Sequence, residues 1–151
     1  MKRRVFFTVG VIVVISLVTS IAISVYFLHR ASIAKSIRDV LEADKALHRQ
    51  VFARASFETY PAEMISAYTQ GLRQIDMSDC PTGLQLAYLD HIHAWESLAR
   101  ARGSVVRNLI FSLLQQTIPT LPDEQPIRDE IARTWNEVER IALSYGAELS
   151  E

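Results

Sequence analysis

His91, His93 and Glu96 form the densest group of potential metal ligands in the chain. On a helix, residues two apart point about 200° apart, so His93 and Glu96 share a side while His91 faces away. A metal pair on one helix takes spacings of three or four, as in HExxH, and that motif is absent. No metal is expected. Asp44 and His91 pose a different question, because each falls within an otherwise apolar stripe and packing would bury both. Buried polar groups find partners. The options are a direct Asp44–His91 pair, or separate bonds to Tyr68, Tyr88, Tyr145 or a backbone carbonyl, either of which would fix helix register. A sharper alternative is a proton-sensitive or ligand-reading site inside the bundle, with His91 as the titrating member.

Cys80 is the single cysteine, so an intramolecular disulfide is excluded. It stands in Asp79-Cys80-Pro81 at an expected helix start, where the helix dipole favours a thiolate and Asp79 opposes one. The expected role is that of a small, half-buried residue. Neither Cys80 nor Ser78 has a locatable base or oxyanion hole, so no catalytic residue is assigned. Arg100, Arg102 and Arg107 could meet phosphate, but beyond the apolar segment 13 Lys and Arg stand against 17 Asp and Glu. That balance argues against nucleic acid. These arginines are expected to pair with acidic faces such as Asp129, Glu130, Glu137 and Glu139, each pair contributing little. No cofactor is expected.

The elements that must position these groups are helices. Val5 to Leu28 is a run of 24 residues without a charge. As a helix it is roughly 36 Å long against a hydrocarbon core of about 30 Å, enough to span a bilayer with some tilt. Thr8, Ser16, Thr19, Ser20 and Ser24 are compatible with this, since a hydroxyl can bond back to a carbonyl one turn earlier. A cleaved signal peptide, with Ala22 and Ser24 at the cleavage site, is the competing reading, but the apolar run continues past them to Leu28. Lys2, Arg3 and Arg4 crowd a four-residue tail (1–4), whereas Arg30, Lys35, Arg38 and Lys45 are interspersed with acids. This places the N-terminus in the cytoplasm and residues 30–151 in the periplasm of a cell inner membrane.

Beyond the membrane, Ile33, Ile37, Val40, Leu47 and Val51 mark an apolar stripe on a helix over about 31–57. No breaker separates it from 5–28, so the two should be continuous. A second helix spans about 61–75, opening at Tyr60-Pro61 with Ile65, Tyr68, Leu72 and Ile75 inward. A loop follows, with Asp79 as a natural N-cap. The third helix, about 81–117, carries Leu84, Tyr88, His91, Trp95 and Leu98 in one register that Gly103 interrupts in sequence but not in phase. Pro119 to Pro126 is a loop, and the last helix, about 126–146, ends near Gly146. The fold expected is all-α: one N-terminal transmembrane helix followed by an antiparallel bundle of about four helices, with Trp95, Trp135, Tyr88 and Tyr145 as core anchors.

The block Cys80-Pro81-x-x-Leu84-x-x-Ala87-Tyr88-Leu89-x-His91-Ile92-x-Ala94-Trp95-Glu96, with Thr134-Trp135-x-Glu137-Val138-Glu139-x-Ile141-Ala142-x-x-Tyr145-Gly146, resembles an uncharacterised bacterial family of small helical proteins. The resemblance covers about 35 residues. It implies that the Cys-Pro turn, His91 and the Trp-Glu elements belong to one helical scaffold, and it implies no activity.

Function is therefore expected from architecture. The first expectation is a non-enzymatic, membrane-anchored interaction or accessory module, touching membrane lipid through residues 5–28 and a protein partner through a helix face or the loop Pro119–Pro126. The alternative is a ligand- or pH-sensing bundle acting with a membrane partner, because a four-residue tail cannot signal alone. A long exposed apolar patch would favour docking, an internal cavity beside His91 would favour sensing, and a cleft converging on His93, Glu96 and Cys80 would favour an enzyme.

Overall fold

The computed structural model describes residues 2–53, 60–115 and 123–147, with the backbone alone described over 2–15 and 105–115. Four helices account for nearly all of them: α1 (Lys2–Phe52), α2 (Ala62–Leu72), α3 (Thr82–Gln115) and α4 (Gln125–Ser144). The chain is all-helical, and no strand occurs among the described residues.

Absence of any breaker after Leu28 lets α1 run unbroken for 51 residues, roughly 76 Å. Over its described residues Ser16–Phe52 it holds a stretch long and apolar enough, by length and composition, to cross a membrane. Leu17, Val18, Ile21, Ile23, Val25, Tyr26, Phe27 and Leu28 are each more than half exposed, so the described residues leave this stretch uncovered. The hydroxyls along it turn back on the helix: Thr19 and Ser20 donate to the Ser16 carbonyl at 3.0 and 2.8 Å, and Ser24 to Ser20 at 2.9 Å. Each hydroxyl is thereby satisfied without solvent.

From Ile33 onward α1 becomes one wall of a bundle. Ile37 and Leu41 of α1, Ile65 and Leu72 of α2, Leu84, Tyr88, Ile92 and Leu98 of α3 and Val138 of α4 are fully buried together. The helices run alternately up and down, each packed on its sequence neighbour, with α1 and α4 closing the ring through their weakest contact. Gly71 permits the close α1–α2 approach, since a Cβ there would lie 2.6 Å from Leu47 Cδ2.

Element ends follow local chemistry. Pro61 is the residue before α2, extended at φ −68° and ψ 155°, and its carbonyl accepts the Ile65 N–H at 3.2 Å. α2 stops at Leu72, short of the expected 75, as Arg73 to Ile75 tighten into a turn. In the loop before α3, Asp76 accepts the Ser78 N–H at 2.9 Å. α3 passes through Gly103 without a break. α4 ends in a Schellman motif: Gly146 adopts φ +78°, Ala147 N–H donates to Ala142 at 3.0 Å, and Gly146 N–H donates to Leu143 at 2.9 Å. The expected end of the first helix at 57 and the first half of the Pro119–Pro126 loop lie outside the described residues, and Gln125 and Pro126 already belong to α4.

Two expectations need correction. Tyr88 and Trp95 are buried core anchors, but Trp135 and Tyr145 are only partly buried against the core, because both face the seam where α4 meets α1. The arginines also pair differently. Arg102 reaches Glu124 at 2.8 Å, whereas Glu130 and Glu137 are taken by Arg133 and Arg140 on their own helix, each at 2.6 Å. Side chains three apart on one helix meet before those on another. The Arg107 side chain lies outside the described residues.

Candidate ligand-binding groove

The α1–α4 seam closes near the apolar end of α1, where Arg30 donates to the Ser144 carbonyl at 2.8 Å. Toward the far end it opens into a groove of about 540 Å³. α1 contributes Leu41, Asp44, Lys45, His48 and Arg49, and α4 contributes Arg128, Ile131, Ala132 and Trp135. Tyr68 of α2 with His91 and Trp95 of α3 form the floor. Both tryptophans of the chain therefore line one cavity.

Asp44 and His91 both lie here, yet each has its own partners and they do not pair. Asp44 is 3% exposed, and its Oδ1 accepts a short hydrogen bond from the Tyr68 hydroxyl. The Tyr88 hydroxyl lies near enough to lower the Asp44 pKa, yet neither it nor Asp44 Oδ2 has a partner at hydrogen-bond distance. Burial dominates and holds the Asp44 pKa above the ordinary carboxylate value, against the opposing pull of Tyr68, Tyr88 and His48. Burial and the same carboxylate push Tyr68 and Tyr88 up.

His91 is locked in its neutral form. The Trp95 indole N–H donates to Nε2 at 3.0 Å, which makes Nε2 an acceptor, and Nδ1 lies 3.0 Å from Thr134 Oγ1. The tautomer that fits is Nδ1–H donating to Thr134, whose own hydroxyl reaches back to carbonyls of its helix, Glu130 at 2.9 Å and Ile131 at 3.0 Å. A second proton would set two N–H donors face to face. Burial agrees, lowering the His91 pKa to about 4. The geometry thus argues against His91 as a sensor of neutral pH.

Around this polar pair the surface is aromatic. The Trp135 ring is 5.2 Å from that of His91, and its indole N–H is spent on Glu139 at 2.7 Å. Tyr68 meets Trp95 edge-on at 5.2 Å, and Phe52 stacks on Tyr60 at 3.9 Å. His48 packs on Phe52 at 4.8 Å, and its pKa is lowered by burial. The mouth carries Lys45, Arg49 and Arg128; Arg128 also contacts Glu124 at 3.3 Å.

Comparison with protein-family models, curated proteins and solved structures finds no match. The reading therefore rests on the chain's own geometry. The other candidates do not assemble. His93 is exposed, Glu96 is bound by Arg73 at 2.7 Å, and Cys80 is buried at the start of α3, roughly 24 Å along the helix from Glu96. Burial first and then Asp79 raise the Cys80 thiol pKa, which disfavours a thiolate there. Among the described residues no cluster could hold a metal. Sequence reasoning missed His48, Lys45, Arg49, Arg128 and Thr134. His48 was findable, since four residues separate it from Asp44 on one helix face, and the same spacing joins His91 to Trp95. Thr134, on another helix, gave no such signal.

Proposed function

We propose that the chain is a membrane-anchored, non-catalytic binding module whose α1–α4 groove takes a small organic acid with an aromatic or aliphatic body. The observation that carries this reading is the groove itself: a cavity of about 540 Å³ between bundle helices, apolar and aromatic within, with few polar groups and a cationic mouth. Sites for small organic ligands have this size and this lining. Asp44 adds support, because a carboxyl whose burial is its dominant influence, and which no cation pairs at ion-pair distance among the described residues, is costly to keep for stability alone.

Anchoring is by the exposed apolar stretch of α1, as a single-pass span of a cell inner membrane. The basic tail faces the cytoplasm and the bundle the periplasm, with occupancy of the seam relayed to a membrane partner. Docking of a protein on a helix face has less behind it. Beyond the apolar part of α1, the large exposed apolar residues among those described are Leu86 and Leu143, too few for a contiguous patch.

The test is a fluorescence titration of the full-length protein in nanodiscs with aryl and alkyl carboxylates, and with amines of the same bodies. Trp95 and Trp135 are the only tryptophans and both line the groove, so an occupant must change their emission. Saturable changes are expected for the acids, weakened roughly tenfold in Lys45→Gln/Arg49→Gln and abolished by Ala132→Phe, which fills the mouth. Equal responses to acids and amines, or none to either, would remove the proposal.

A further inference from the structure

We infer a second site, at the foot of the bundle, for the phosphate headgroup of an anionic phospholipid in the leaflet next to the domain. Two guanidiniums converge there. Arg30 donates to the Ser144 carbonyl at 2.8 Å and Arg38 to the Gly146 carbonyl at 3.5 Å, so both are drawn to the C-terminal end of α4. Between them lies a pocket of about 410 Å³, walled by Phe27 and Ala31 of α1 and by Tyr145. Each of these recorded bonds uses one of the five donors an arginine carries, and a planar fork with donors to spare matches a phosphate. Among the described residues neither side chain has a carboxylate within ion-pair distance, whereas neighbouring Lys35 is paired with Asp39 at 2.9 Å.

Position selects a lipid over a free anion. Arg30 is two residues past Leu28, roughly 3 Å along the helix axis, and the headgroup layer extends about 5–8 Å beyond the hydrocarbon. Arg38 starts higher. Cα–Cβ bonds of a helix tilt toward its N-terminus, here toward the apolar segment, and Arg38, bonded to the Gly146 carbonyl, lines the same pocket as Arg30. Phe27 walls the pocket, and the Tyr26 ring meets the Phe27 ring edge-on at 5.8 Å, both at the level where rings meet the interface. A phosphate held here would bridge α1 to the end of α4 and brace the closed end of the seam.

The inference rests on α1 residing in a bilayer, as proposed above. The experiment reconstitutes the full-length protein in nanodiscs of phosphatidylcholine with a minor fraction of phosphatidylglycerol, and reads by mass spectrometry the lipid retained on gentle extraction. Phosphatidylglycerol is expected to be enriched over the bulk by roughly tenfold. Arg30→Ala/Arg38→Ala should lose the enrichment, Arg30→Lys/Arg38→Lys should retain part of it, and Arg133→Ala/Arg140→Ala should retain all of it. No enrichment in the wild type, or equal enrichment in the alanine pair, overturns the site. Displacement of the lipid by inorganic phosphate at comparable concentration would make it a free-anion site and overturn the lipid assignment. Should the alanine pair unfold, the lysine pair decides, because a headgroup held by bidentate contacts must distinguish it from the wild type. Failure of the chain to enter the nanodisc at all would instead refute the membrane reading beneath both proposals.

Discussion

Acidification should destabilise the bundle through His91, and the size of the effect follows from its surroundings. In the unfolded chain the imidazole titrates near 6.5; folded, it is held to about 4 by burial, with Trp95 donating to Nε2 and Thr134 at Nδ1. Between those values the unfolded state binds more protons than the folded one, so stability falls as pH falls. The full contribution is present above about 6.5, declines through the interval and is exhausted below about 4. A displacement of about 2.5 pH units corresponds to about 3 kcal/mol. His48, also lowered, acts in the same direction; Asp44, whose pKa is raised, acts in the opposite one, losing stability as pH rises through its window. A comparison with His91→Gln separates them, since both other groups titrate in the variant too. The assay is urea unfolding of the full-length protein in detergent, followed by tryptophan emission at a series of pH values from 7 to 4. The wild type should lose about 3 kcal/mol more than the variant over that span. Parallel pH profiles, or a His91 resonance titrating near 6.5 by NMR, would refute the locked neutral tautomer.

Other changes probe the frame around the groove. Arg102 is nearly buried, donating to Glu124 at 2.8 and 3.0 Å and to the Tyr60 carbonyl at 2.6 Å. Arg102→Met should therefore cost about 2 kcal/mol by urea midpoint, leaving the acid half-buried and the start of α2 untethered. Asp44→Asn keeps an acceptor for Tyr68 and removes a carboxyl whose ionisation burial disfavours, so its stability at pH 7 should equal or exceed the wild type by about 1 kcal/mol. Gly103→Ala should stabilise by about 1 kcal/mol in thermal melts, because the helix is continuous there and an added Cβ meets only Ala62 Cβ at 3.8 Å.

The helices were legible because their signals are local. Gly146 marked the end of α4, and the Schellman bonds at Ala147 and Gly146 realise it. The phase of Leu84, Tyr88, His91, Trp95 and Leu98 carried α3 across Gly103 as one helix. The burial of Asp44 and His91 could be read from their places in apolar stripes, but their partners could not. Thr134 is 43 residues from His91, and nothing in either stripe sets which α4 residue meets the ring. The groove was illegible for the same reason: it exists because α1 and α4 diverge, and a sequence pattern gives the face of a helix but not its distance from a neighbour. Trp135 was overrated as a core residue on that account, being on the inward face of α4 but against the open groove, and Tyr145, the C-cap of α4, lines the pocket at the closed end of the seam. Arg102 selected Glu124, 22 residues on, because α4 packs back on α3 and brings its N-cap residue to the arginine.

Occupancy of the groove is the claim on which the rest depends, and native mass spectrometry of the intact protein, released gently from its own membranes, tests it most directly. Wild-type protein should carry a small acidic organic adduct that Ala132→Phe lacks. A bare chain in both, or the same adduct on both, would contradict a ligand seated between α1 and α4.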